Sequence, residues 1–354
     1  MHILVINPGS TSTKIALFNG KNQVIDETIR HSAEELLQFK TIPDQKDFRY
    51  ETIITVLNEK GFKIEDVDAI AACGGIVKPI ESGTYDINEE MVKDLKTQRA
   101  AMHASCLAGL IGYELKQQFG IPAYIVDPVV VDELQDIARL TGVPEVSRIS
   151  IFHALNQKAI ARDCASDINL AYEDANFVVA HMGGGISVAA HAKGRVIDVN
   201  NAIGGDGPFT PERSGSLTAL AVADLICNKG YTEQDIKNLA AKKGGMVAYL
   251  GVNDMRECEQ MMADGNEKAK LVFAAMAYQI AKEIGAMATV LSGEIDAIIL
   301  TGGLAYSNSF TEAIMQRVKF LGAVKLYPGE FEMQALAASV LKVLNKEIEP
   351  KVYN

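Results

Sequence analysis

The feature of this sequence that most constrains its fold is a pattern of strands and turns that occurs twice. The segment HILVINPGSTSTKIALFNGKNQVIDE begins at His2, and FVVAHMGGGISVAAHAKGRVIDV begins at Phe177. Each copy predicts an apolar strand, a turn of small residues, a second strand, a Gly-containing turn and a third strand. Asn7 and His181 occupy matching positions, 174 residues apart. Coincidence is the alternative, because Gly-rich hairpins are common, but the pattern and its spacing favour a duplicated domain.

Strands that alternate with amphipathic helices follow each copy of the hairpin. One strand ends at Asp127 and precedes VDELQDIARL, and IDAIILTGG precedes SFTEAIMQRVKFL. This alternation predicts an α/β fold with mixed sheets flanked by helices. The 354 residues exceed what one hydrophobic core usually organises, so we expect two domains. They are predicted over residues 1–150 and 151–334, with a C-terminal helix, 335–354, packed on the first.

The composition argues against several classes of protein. With 48% hydrophobic and 22% charged residues, the chain is typical of a globular protein. Its net charge of −11 and the lack of a basic patch argue against nucleic acid as a partner. No segment has the pattern of a secretory signal or a membrane span, and the long apolar helix predicted over 267–291 is interpreted as structural. Five scattered cysteines favour a reducing compartment, so we expect a cytoplasmic protein.

Three Gly-rich turns are candidates for phosphate binding. The first, NPGSTSTK over 7–14, offers backbone N–H groups, the hydroxyls of Ser10 and Ser12, and the ammonium of Lys14. It lacks the order GxxxxGK(S/T) of a P-loop, and a strand rather than a helix follows it. On a strand of alternating character, Lys14 could instead point to solvent.

The other two turns strengthen the hypothesis of a nucleotide site. Gly183, Gly184 and Gly185 lie in the second copy of the hairpin but do not form the GxGxxG pattern of dinucleotide-binding folds. As a pair, the two hairpin turns predict a clamp that holds one polyphosphate from both sides. Gly302 and Gly303 end a predicted buried strand, where α/β proteins usually bind nucleotides, so we expect them at the adenosine.

Together these motifs resemble those of the acetate and butyrate kinases, a branch of the superfamily of actin, sugar kinases and heat-shock-chaperone ATPases. INPGSTSTK, VDPVVVDE, SIFHALNQK, VAHMGGGIS, GPFTPERSG, LTGGL and PGE occur in the order of that family and cover nearly the whole chain. The resemblance implies two RNase H-like domains with ATP in the cleft between them. It also implies Mg²⁺, a homodimer or larger assembly, and reversible transfer of the γ-phosphoryl of ATP to a short-chain carboxylate such as butyrate.

The resemblance assigns histidines and an arginine to the reacting groups. Arg213, in TPERSG, matches the family arginine at the transferred phosphoryl, and its planar guanidinium suits bidentate contact with phosphate. A salt bridge with Glu212 is the alternative. His153 and His181 match family histidines that bind or orient the same phosphoryl, as hydrogen-bond donors. His103 matches a further family histidine, assigned to the substrate, although its apolar surroundings predict a buried, hydrogen-bonded role almost equally well.

The resemblance also places Asn7, Asp127 and Glu332 near Mg²⁺ and the nucleotide phosphates. Mg²⁺ usually takes one or two carboxylates, directly or through water. Asn7 and Asp127 are counted with the catalytic residues as well, and Asn7 is expected to position the phosphoryl group. Asp127 could instead cap the turn at Pro128, and Glu332 could cap the last helix. Glu330 lies so close to Glu332 in the sequence that the register of this match stays open.

The carboxylate side of the site is the least determined. Phe152, Ile203 and Phe209 are candidates for an apolar wall around the acyl chain. One methylene there changes binding by only about 1–3 kcal/mol, so propionate and branched acids stay open. Where the family has Arg before Gly-Gly, this chain has Cys73. The loss of a charged contact with the carboxylate weakens the binding free energy of the acid by about 1.5–3 kcal/mol.

Two other functions stay open at this point. A kinase for a hydroxyl acceptor would need a carboxylate base to take the proton, which a carboxylate acceptor does not require. A nucleotide-binding regulatory protein would result if the residue at Cys73 had weakened catalysis, unless Lys78 or Arg99 supplies the missing cation. The carboxylate kinase is the function that the ordered motifs favour.

Overall fold

The computed structural model describes residues 1–97 and 103–354. The chain divides into two units, which are Met1–Val131 with Phe331–Asn354 as unit 1, and Asp132–Glu330 as unit 2. Both junctions precede the predicted domain boundaries at residues 150 and 334. The last 24 residues, 331–354, belong with the first segment of the chain in unit 1.

The segment 132–150 is held by unit 2. Gln135 N donates to Ile197 O at 3.1 Å, and Arg148 Nη2 donates to Val199 O at 2.9 Å. These contacts explain why the junction lies before this segment, whereas the sequence shows only an interrupted pattern near Pro144.

A six-stranded mixed sheet forms the centre of unit 1. Its strands are β1 (His2–Pro8), β2 (Ser12–Asn19), β3 (Asn22–Arg30), β4 (Ala69–Cys73), β5 (Thr84–Asp86) and β6 (Ala123–Val126). Its helices are α1 (Ala33–Leu37), α2 (Lys46–Glu59), α3 (Glu89–Leu95), α4 (Cys106–Phe119) and the C-terminal α13 (Glu332–Leu344). The strand order is β3-β2-β1-β4-β6-β5, and β1, β4 and β6 are parallel. Residues Ile3 to Ile6 of β1 are all buried, as in a strand covered on both faces.

Unit 2 contains a five-stranded sheet. Its strands are β7 (Asn176–Met182), β8 (Ile186–Ala192), β9 (Arg195–Val199), β10 (Ala297–Gly302) and β11 (Val324–Pro328). Its helices are α5 (Asp136–Arg139), α6 (Ala154–Asp167), α7 (Ala219–Lys229), α8 (Glu233–Asn238), α9 (Gly245–Leu250), α10 (Met255–Ala263), α11 (Glu267–Val290) and α12 (Asn308–Val318). The strand order is β11-β10-β7-β8-β9, in which β7, β10 and β11 are parallel.

The two sheets repeat one topology. The order β3-β2-β1-β4-β6 in unit 1 corresponds to β9-β8-β7-β10-β11 in unit 2. In each unit the first hairpin has a short turn, over 9–11 and 183–185, and the second hairpin has a register shift, at Leu17/Phe18 and at Ala190/His191. The predicted duplication and the mixed α/β fold are therefore confirmed.

Helix α11 lies in the core of unit 2. By length and composition alone it could span a membrane, but half of its most apolar window is buried, and the core helix of a soluble protein passes the same test. Its buried residues include Val272, Met276 and Ile280, which belong to the hydrophobic core of this unit. Asn266 caps the helix by accepting from Ala269 N at 3.0 Å. The packing agrees with the structural role that the sequence predicts for it.

Candidate functional site

The turn between β1 and β2 is closed by a backbone bond and supported by one guanidinium. Gly9 N donates to Ser12 O at 2.8 Å. Arg49 donates from Nη1 to Gly9 O (2.9 Å) and Ser12 O (2.7 Å), and from Nη2 to Ser10 O (3.2 Å). These carbonyl oxygens are therefore occupied, while Ser10 and Thr11 are exposed with their hydroxyls available to solvent or a ligand.

Arg49 is a residue that sequence reasoning missed. It is fully buried, on the same face of α2 as Ile53 and Leu57, and Gln45 Oε1 accepts from its Nε (3.1 Å) and Nη2 (2.9 Å). Burial lowers its pKa, although an arginine remains charged at neutral pH. The signal in the sequence was a cation followed at four-residue intervals by apolar residues, which places a charge on the buried face of a helix.

Asn7 and Glu332 are brought together across 325 positions of sequence. Asn7 Nδ2 donates to Glu332 Oε2 at 2.8 Å. Glu332 is therefore the acid that meets Asn7, and Glu330 is exposed. Glu332 lies in the first turn of α13, whose N-cap residue, Phe331, makes no side-chain capping bond. The helix dipole stabilises a carboxylate at this position.

Cys73 cannot replace the cation that the family has at this position. It ends β4, and its burial, together with the nearby Glu332 carboxylate, raises the pKa of the thiol well above its usual value. The thiol therefore stays neutral. Lys78 is engaged elsewhere, because its ammonium lies 3.3 Å from Asp94 Oδ2. Arg99, the other predicted substitute, lies outside the described residues.

Asp127 is held in an unusual conformation at the end of β6. Its φ is 38°, in the left-handed region that costs free energy for a residue with a side chain and that clusters at functional sites. Its Oδ1 accepts from Ser82 Oγ (2.6 Å) and Gly83 N (2.7 Å), so the carboxylate is oriented by residues outside the turn at Pro128. A Cβ at Gly74 would lie 2.3 Å from Pro128 Cβ, so only glycine allows this close approach.

The oxygen atoms of Asp127, Glu332 and Asn7 suit a hard cation such as Mg²⁺. Asn7 uses its amide nitrogen on Glu332, and its amide oxygen is the acceptor of this side chain that could bind a cation or its water. Within residues 1–97 and 103–354, no group of three or more His, Cys, Asp or Glu side chains is arranged to hold a metal ion. Mg²⁺ that arrives with ATP needs only one or two carboxylates, so the chemistry of these side chains fits it, and their contact with Mg²⁺ stays a prediction.

Two other predicted residues of unit 1, Lys14 and His103, are engaged by neighbouring protein groups. Lys14 Nζ is 3.8 Å from Asp26 Oδ1 on β3, and its side chain is 42% exposed. The buried position considered for His103 is wrong, because α4 begins only at Cys106 and His103 lies exposed in the preceding turn. Its Nδ1 accepts from Ser105 N at 3.2 Å. The roles of Ser12, Lys14 and His103 stay predictions.

The turn between β7 and β8 consists of the three predicted glycines. Gly183 N donates to Gly185 O at 2.9 Å, and Thr210 Oγ1 donates to Gly184 O at 2.6 Å. A Cβ at Gly185 would lie 2.2 Å from Arg213 Nη1. Glycine at this position therefore allows the guanidinium to lie directly against the turn.

Arg213 is half-buried, and one nitrogen of its guanidinium has unused hydrogen-bonding capacity. Its Nη1 donates to Ala202 O, and its backbone N donates to Thr210 Oγ1 at 3.0 Å. Among the described residues, its buried Nε has no partner. The alternative salt bridge with Glu212 is wrong, since the described ion pairs do not contain it and Glu212 Oε1 accepts from Asn253 Nδ2 at 2.6 Å. A buried guanidinium N–H without an acceptor indicates a place for an anion.

His153 and His181 form a stacked pair in unit 2. Their ring centroids are 4.0 Å apart at an interplanar angle of 20°. Burial lowers the pKa of His181 to about 4. Burial also lowers the pKa of His153 well below its usual value, and His181 and the Arg213 charge lower it further, which places Arg213 near the pair. Both imidazoles are therefore neutral at pH 7.

Asn156, on α6, is a second residue that sequence reasoning missed. It is fully buried, its Oδ1 lies 3.0 Å from His181 Nδ1, and its Nδ2 has no partner among the described residues. With Arg213 Nε, it is the second buried donor of unit 2 without an acceptor. The signal was a polar pair, Asn156 and Gln157, between alanine and isoleucine residues that are spaced as on the buried face of a helix.

The remaining candidates of unit 2 are two glycines that differ in the space around them and three apolar residues that differ in exposure. Gly302 has φ 89°, and a Cβ there would lie 2.5 Å from Met182 O, whereas a Cβ at Gly303 would meet no atom within 4 Å. Phe152 and Phe209 are buried, and Phe209 belongs to the hydrophobic core, while Ile203 is 38% exposed. Their contacts with nucleotide or acyl chain stay predictions.

Known proteins share both the sequence and the fold of this chain. Residues 123–337 match the Acetokinase family. The chain is 50% identical over 351 residues to butyrate kinase 2 of Clostridium acetobutylicum, with 99% of each chain covered. The structure is similar to acetate kinase from Porphyromonas gingivalis, with a TM-score of 0.82 and 21% identity over 97% of this chain and 99% of that one. It is also similar to a propionate kinase from Francisella tularensis, with a TM-score of 0.76 and 21% identity over 96% and 98% of the two chains. The two structural matches concern the fold alone.

Proposed function

Because this chain belongs to the Acetokinase family, and is therefore an ATP-dependent kinase with a short-chain carboxylate as acceptor, we propose that its preferred acceptor is butyrate. The reaction is reversible, direct in-line transfer of the γ-phosphoryl of ATP to butanoate, which gives butanoyl phosphate and ADP. The observation that carries the proposal is 50% identity, over 99% of both chains, with a protein named butyrate kinase 2. A carboxylate acceptor also needs no base, and the proposed site uses none.

Arg213, His153 and His181 are assigned to the transferred phosphoryl group. Charge spreads over three equatorial oxygens in the transition state, so the protein must supply aligned hydrogen-bond donors and positive charge. Arg213 supports this role with a buried, unpaired Nε beside the glycine turn. His153 and His181 supply neutral imidazoles, because burial lowers the pKa of each. None of the three is required to act as a nucleophile.

Asn7, Asp127 and Glu332 are assigned to Mg²⁺, which neutralises charge on the nucleotide phosphates when it is bound. The bonds from Ser82 and Gly83 fix the Asp127 carboxylate, and Asn7 Nδ2 fixes the Glu332 carboxylate. We further assign the nucleotide contacts to the exposed Ser10 and to the glycine turns 183–185 and 302–303, with Ser12 and Lys14 in supporting positions.

The acyl chain contributes a large part of acceptor affinity in this proposal. Cys73 is a neutral thiol and Lys78 is paired with Asp94, so these residues give the acceptor carboxylate no strong positive partner. Each buried methylene contributes about 0.8 kcal/mol. Butyrate has two methylenes more than acetate. The binding free energy from burying them offsets the missing charged contact with the carboxylate. Phe152, Ile203 and Phe209 are the candidates for the apolar wall.

The test is a trapping assay with a panel of acids. Purified protein is incubated with ATP, Mg²⁺, hydroxylamine and one of acetate, propionate, butyrate, isobutyrate or valerate, and only an acyl phosphate gives a hydroxamate. We expect the kcat/KM for butyrate to exceed that for acetate by about 15-fold, as two methylenes imply. A reaction without added acid is the control. If none of the acids gives hydroxamate, the assignment fails. A higher kcat/KM for another acid would replace butyrate but keep the reaction class.

The variant Cys73→Arg tests whether this chain is an active enzyme or a catalytically weakened protein that binds nucleotide for regulation. For the active enzyme, wild type turns over and the variant lowers the KM for butyrate by about 10- to 100-fold, the value of one charge-assisted contact. ATP binding by wild type without turnover, with turnover restored in the variant, would favour the regulatory protein. Isothermal titration with ATP and the hydroxamate assay together give both readouts.

We also propose that the enzyme is a cytoplasmic homodimer or larger homo-oligomer. Helix α7 has no buried residue although it carries Leu220, Val222, Leu225 and Ile226, and Leu220 is 85% exposed. An apolar helix of this kind requires cover in solution. All five cysteines are free, as is typical of a reducing compartment. Light scattering on wild type and Leu220→Glu tests the assembly, and a monomeric wild type would contradict it.

A further inference from the structure

A chain of hydrogen bonds runs through unit 2 and ends at His153, and each of its donors can be assigned. The starting point is Ser187 O, a backbone carbonyl that only accepts. Gln157 must therefore turn its amide nitrogen, Nε2, toward this oxygen, at 2.9 Å. The second hydrogen of Nε2 reaches Ser187 Oγ at 2.8 Å. The orientation of the Gln157 amide is thereby determined by the backbone.

The outer end of the chain follows from that orientation. Gln157 Oε1 only accepts, and His191 Nε2 lies 3.0 Å away, so His191 carries a hydrogen on Nε2. Tyr172 OH, 2.8 Å from His191 Nδ1, donates to that nitrogen. Burial, with Lys158 and Arg162 nearby, lowers the pKa of His191 well below its usual value, in agreement with a neutral ring.

The inner end assigns the tautomer of His153. Ser187 Oγ accepts from Gln157 Nε2, and its other contacts are the backbone N of His153 (3.5 Å), which donates, and His153 Nδ1 (2.8 Å). Within the described chain, Nδ1 is thus the acceptor recorded for the hydroxyl hydrogen of Ser187. A neutral His153 whose Nδ1 accepts must carry its hydrogen on Nε2.

A hydrogen bond on the other side of the stack gives His181 the opposite tautomer. Its Nδ1 lies 3.0 Å from Asn156 Oδ1, which only accepts, so Nδ1 carries the hydrogen. Thr301 Oγ1 donates to the same oxygen at 3.4 Å. The Nε2 of His181, next to Gly183 of the turn, therefore has a lone pair.

We propose that the two stacked histidines are held in opposite tautomers, with His153 a hydrogen-bond donor and His181 a hydrogen-bond acceptor at Nε2, and that Ser187 and Gln157 are positioning residues. The role of the donor rests on the proposed function, in which Nε2–H of His153 binds an oxygen of the transferred phosphoryl group. With Nδ1–H engaged by Asn156, His181 accepts at Nε2 from a donor such as water, and it reaches the phosphoryl group only through that water. The sequence predicted that both histidines donate, and the hydrogen-bond network separates them.

Nuclear magnetic resonance tests the tautomers without any measurement of activity. In protein labelled with ¹⁵N on its six histidines, long-range ¹H–¹⁵N correlations distinguish Nδ1–H from Nε2–H in neutral rings. His153→Gln and His181→Gln assign the signals. At pH 7.5 we expect Nε2–H for His153 and His191, and Nδ1–H for His181. A protonated His153, or the same tautomer in both stacked rings, would overturn the proposal even if butyrate turnover is found.

Variants of the chain test the positioning role. In Gln157→Glu the carboxylate cannot donate to Ser187, so the Ser187 hydroxyl donates to it instead and the hydrogen of His153 moves to Nδ1. We expect that tautomer change and a kcat lower by about 10- to 100-fold, the usual effect of removing a residue that orients a reacting histidine. Ser187→Ala should lower kcat similarly, and Ser187→Thr, which keeps the hydroxyl, should restore it.

Thr311→Val is the matched control for loss of a buried hydroxyl. Thr311 is 1% exposed, lies in the same unit, and its hydroxyl bonds to two carbonyls at the start of its own helix. Its kcat and histidine signals should equal those of wild type. If Ser187→Ala or Gln157→Glu leaves the His153 tautomer and kcat unchanged, the positioning role is refuted. If wild type phosphorylates no acid but the tautomers are as stated, the proposed function fails while the assignment of the network stands.

Discussion

The two hairpin turns of this chain have the same backbone design but opposite uses of arginine. Both follow the first strand of a repeated sheet and are closed by a short N–H to carbonyl bond, from Gly9 to Ser12 and from Gly183 to Gly185. In unit 1, Arg49 is fully buried, and its guanidinium donates hydrogen bonds to carbonyl oxygens of the turn and to Gln45. In unit 2, Arg213 lies against Gly185 and keeps an unpaired Nε.

From this difference we infer that duplication preserved the strands while the two turns acquired separate tasks. An arginine whose donors are all engaged by the protein has no hydrogen bond left for a ligand, so it stabilises the turn. An arginine with a free donor in a buried place is costly for the fold and suits an anion. Arg49 should therefore matter mainly for stability, and Arg213 mainly for activity.

Replacement of the buried cation should have the largest effect. Arg49→Met fills the same space but leaves the carbonyls of the β1–β2 turn and Gln45 without their donor. We expect the free energy of unfolding of unit 1 to fall by about 3–5 kcal/mol, as for the loss of one partner of a buried charged network. Chemical denaturation, followed by hydrogen exchange in β1 and β2, measures it.

The control for this prediction is Arg49→Lys, which keeps the charge but loses the planar fork that reaches several carbonyls at once. Its loss of stability should lie between wild type and Arg49→Met. If Arg49→Met is as stable as wild type and instead loses only kcat, Arg49 has the functional role that we assign to Arg213, and the comparison is reversed.

Removal of the other arginine should separate activity from stability. Arg213→Ala deletes a donor assigned to the transferred phosphoryl, so we expect kcat to fall by about 10²- to 10³-fold. Stability should change little, because the variant also removes an unsatisfied buried N–H. The hydroxamate assay and the denaturation midpoint give the two values. Similar losses of kcat and stability in Arg213→Ala and Arg49→Met would contradict a division of tasks between the turns.

Much of this division was accessible from sequence, because it depends on local patterns. The repeat predicted both hairpins and hence the shared topology, and Gly-rich turns need only neighbouring residues to be recognised. The resemblance placed Asn7 and Glu332 near Mg²⁺ without predicting their hydrogen bond, and the sequence could not decide between Glu330 and Glu332. That decision depends on where α13 begins, which is a property of how the C-terminal segment packs in unit 1.

The supporting residues were not accessible in the same way. Arg49, Asn156 and Ser187 act through contacts between distant parts of the chain, and each is an ordinary polar residue in its own segment. Single-sequence reasoning interprets such residues as solvated faces or helix caps, since it assigns exposure from local periodicity. Helical spacing could place Arg49 and Asn156 on buried faces, but the partners of these residues become visible only when the sheet and its covering helices are assembled.

The smallest expected difference between the two turns is their response to acid. In unit 2, His181 and His191 are buried and His153 is half-buried, and desolvation lowers the pKa of all three rings, that of His181 from 6.5 to about 4. Below pH 6.5 the unfolded chain binds protons that the folded unit does not, so stability is lost as the pH falls from 6.5 toward 4, by up to about 1.4 kcal/mol per pH unit for each ring. In unit 1 the turn is held by Arg49, and burial lowers the pKa of one histidine there, His31.

Hydrogen exchange measured at pH 7 and at pH 5 tests this difference. Between the two pH values, protection should fall more in β7 and β8 than in β1 and β2. An equal fall in both hairpins would show that the histidine network does not set the stability of unit 2.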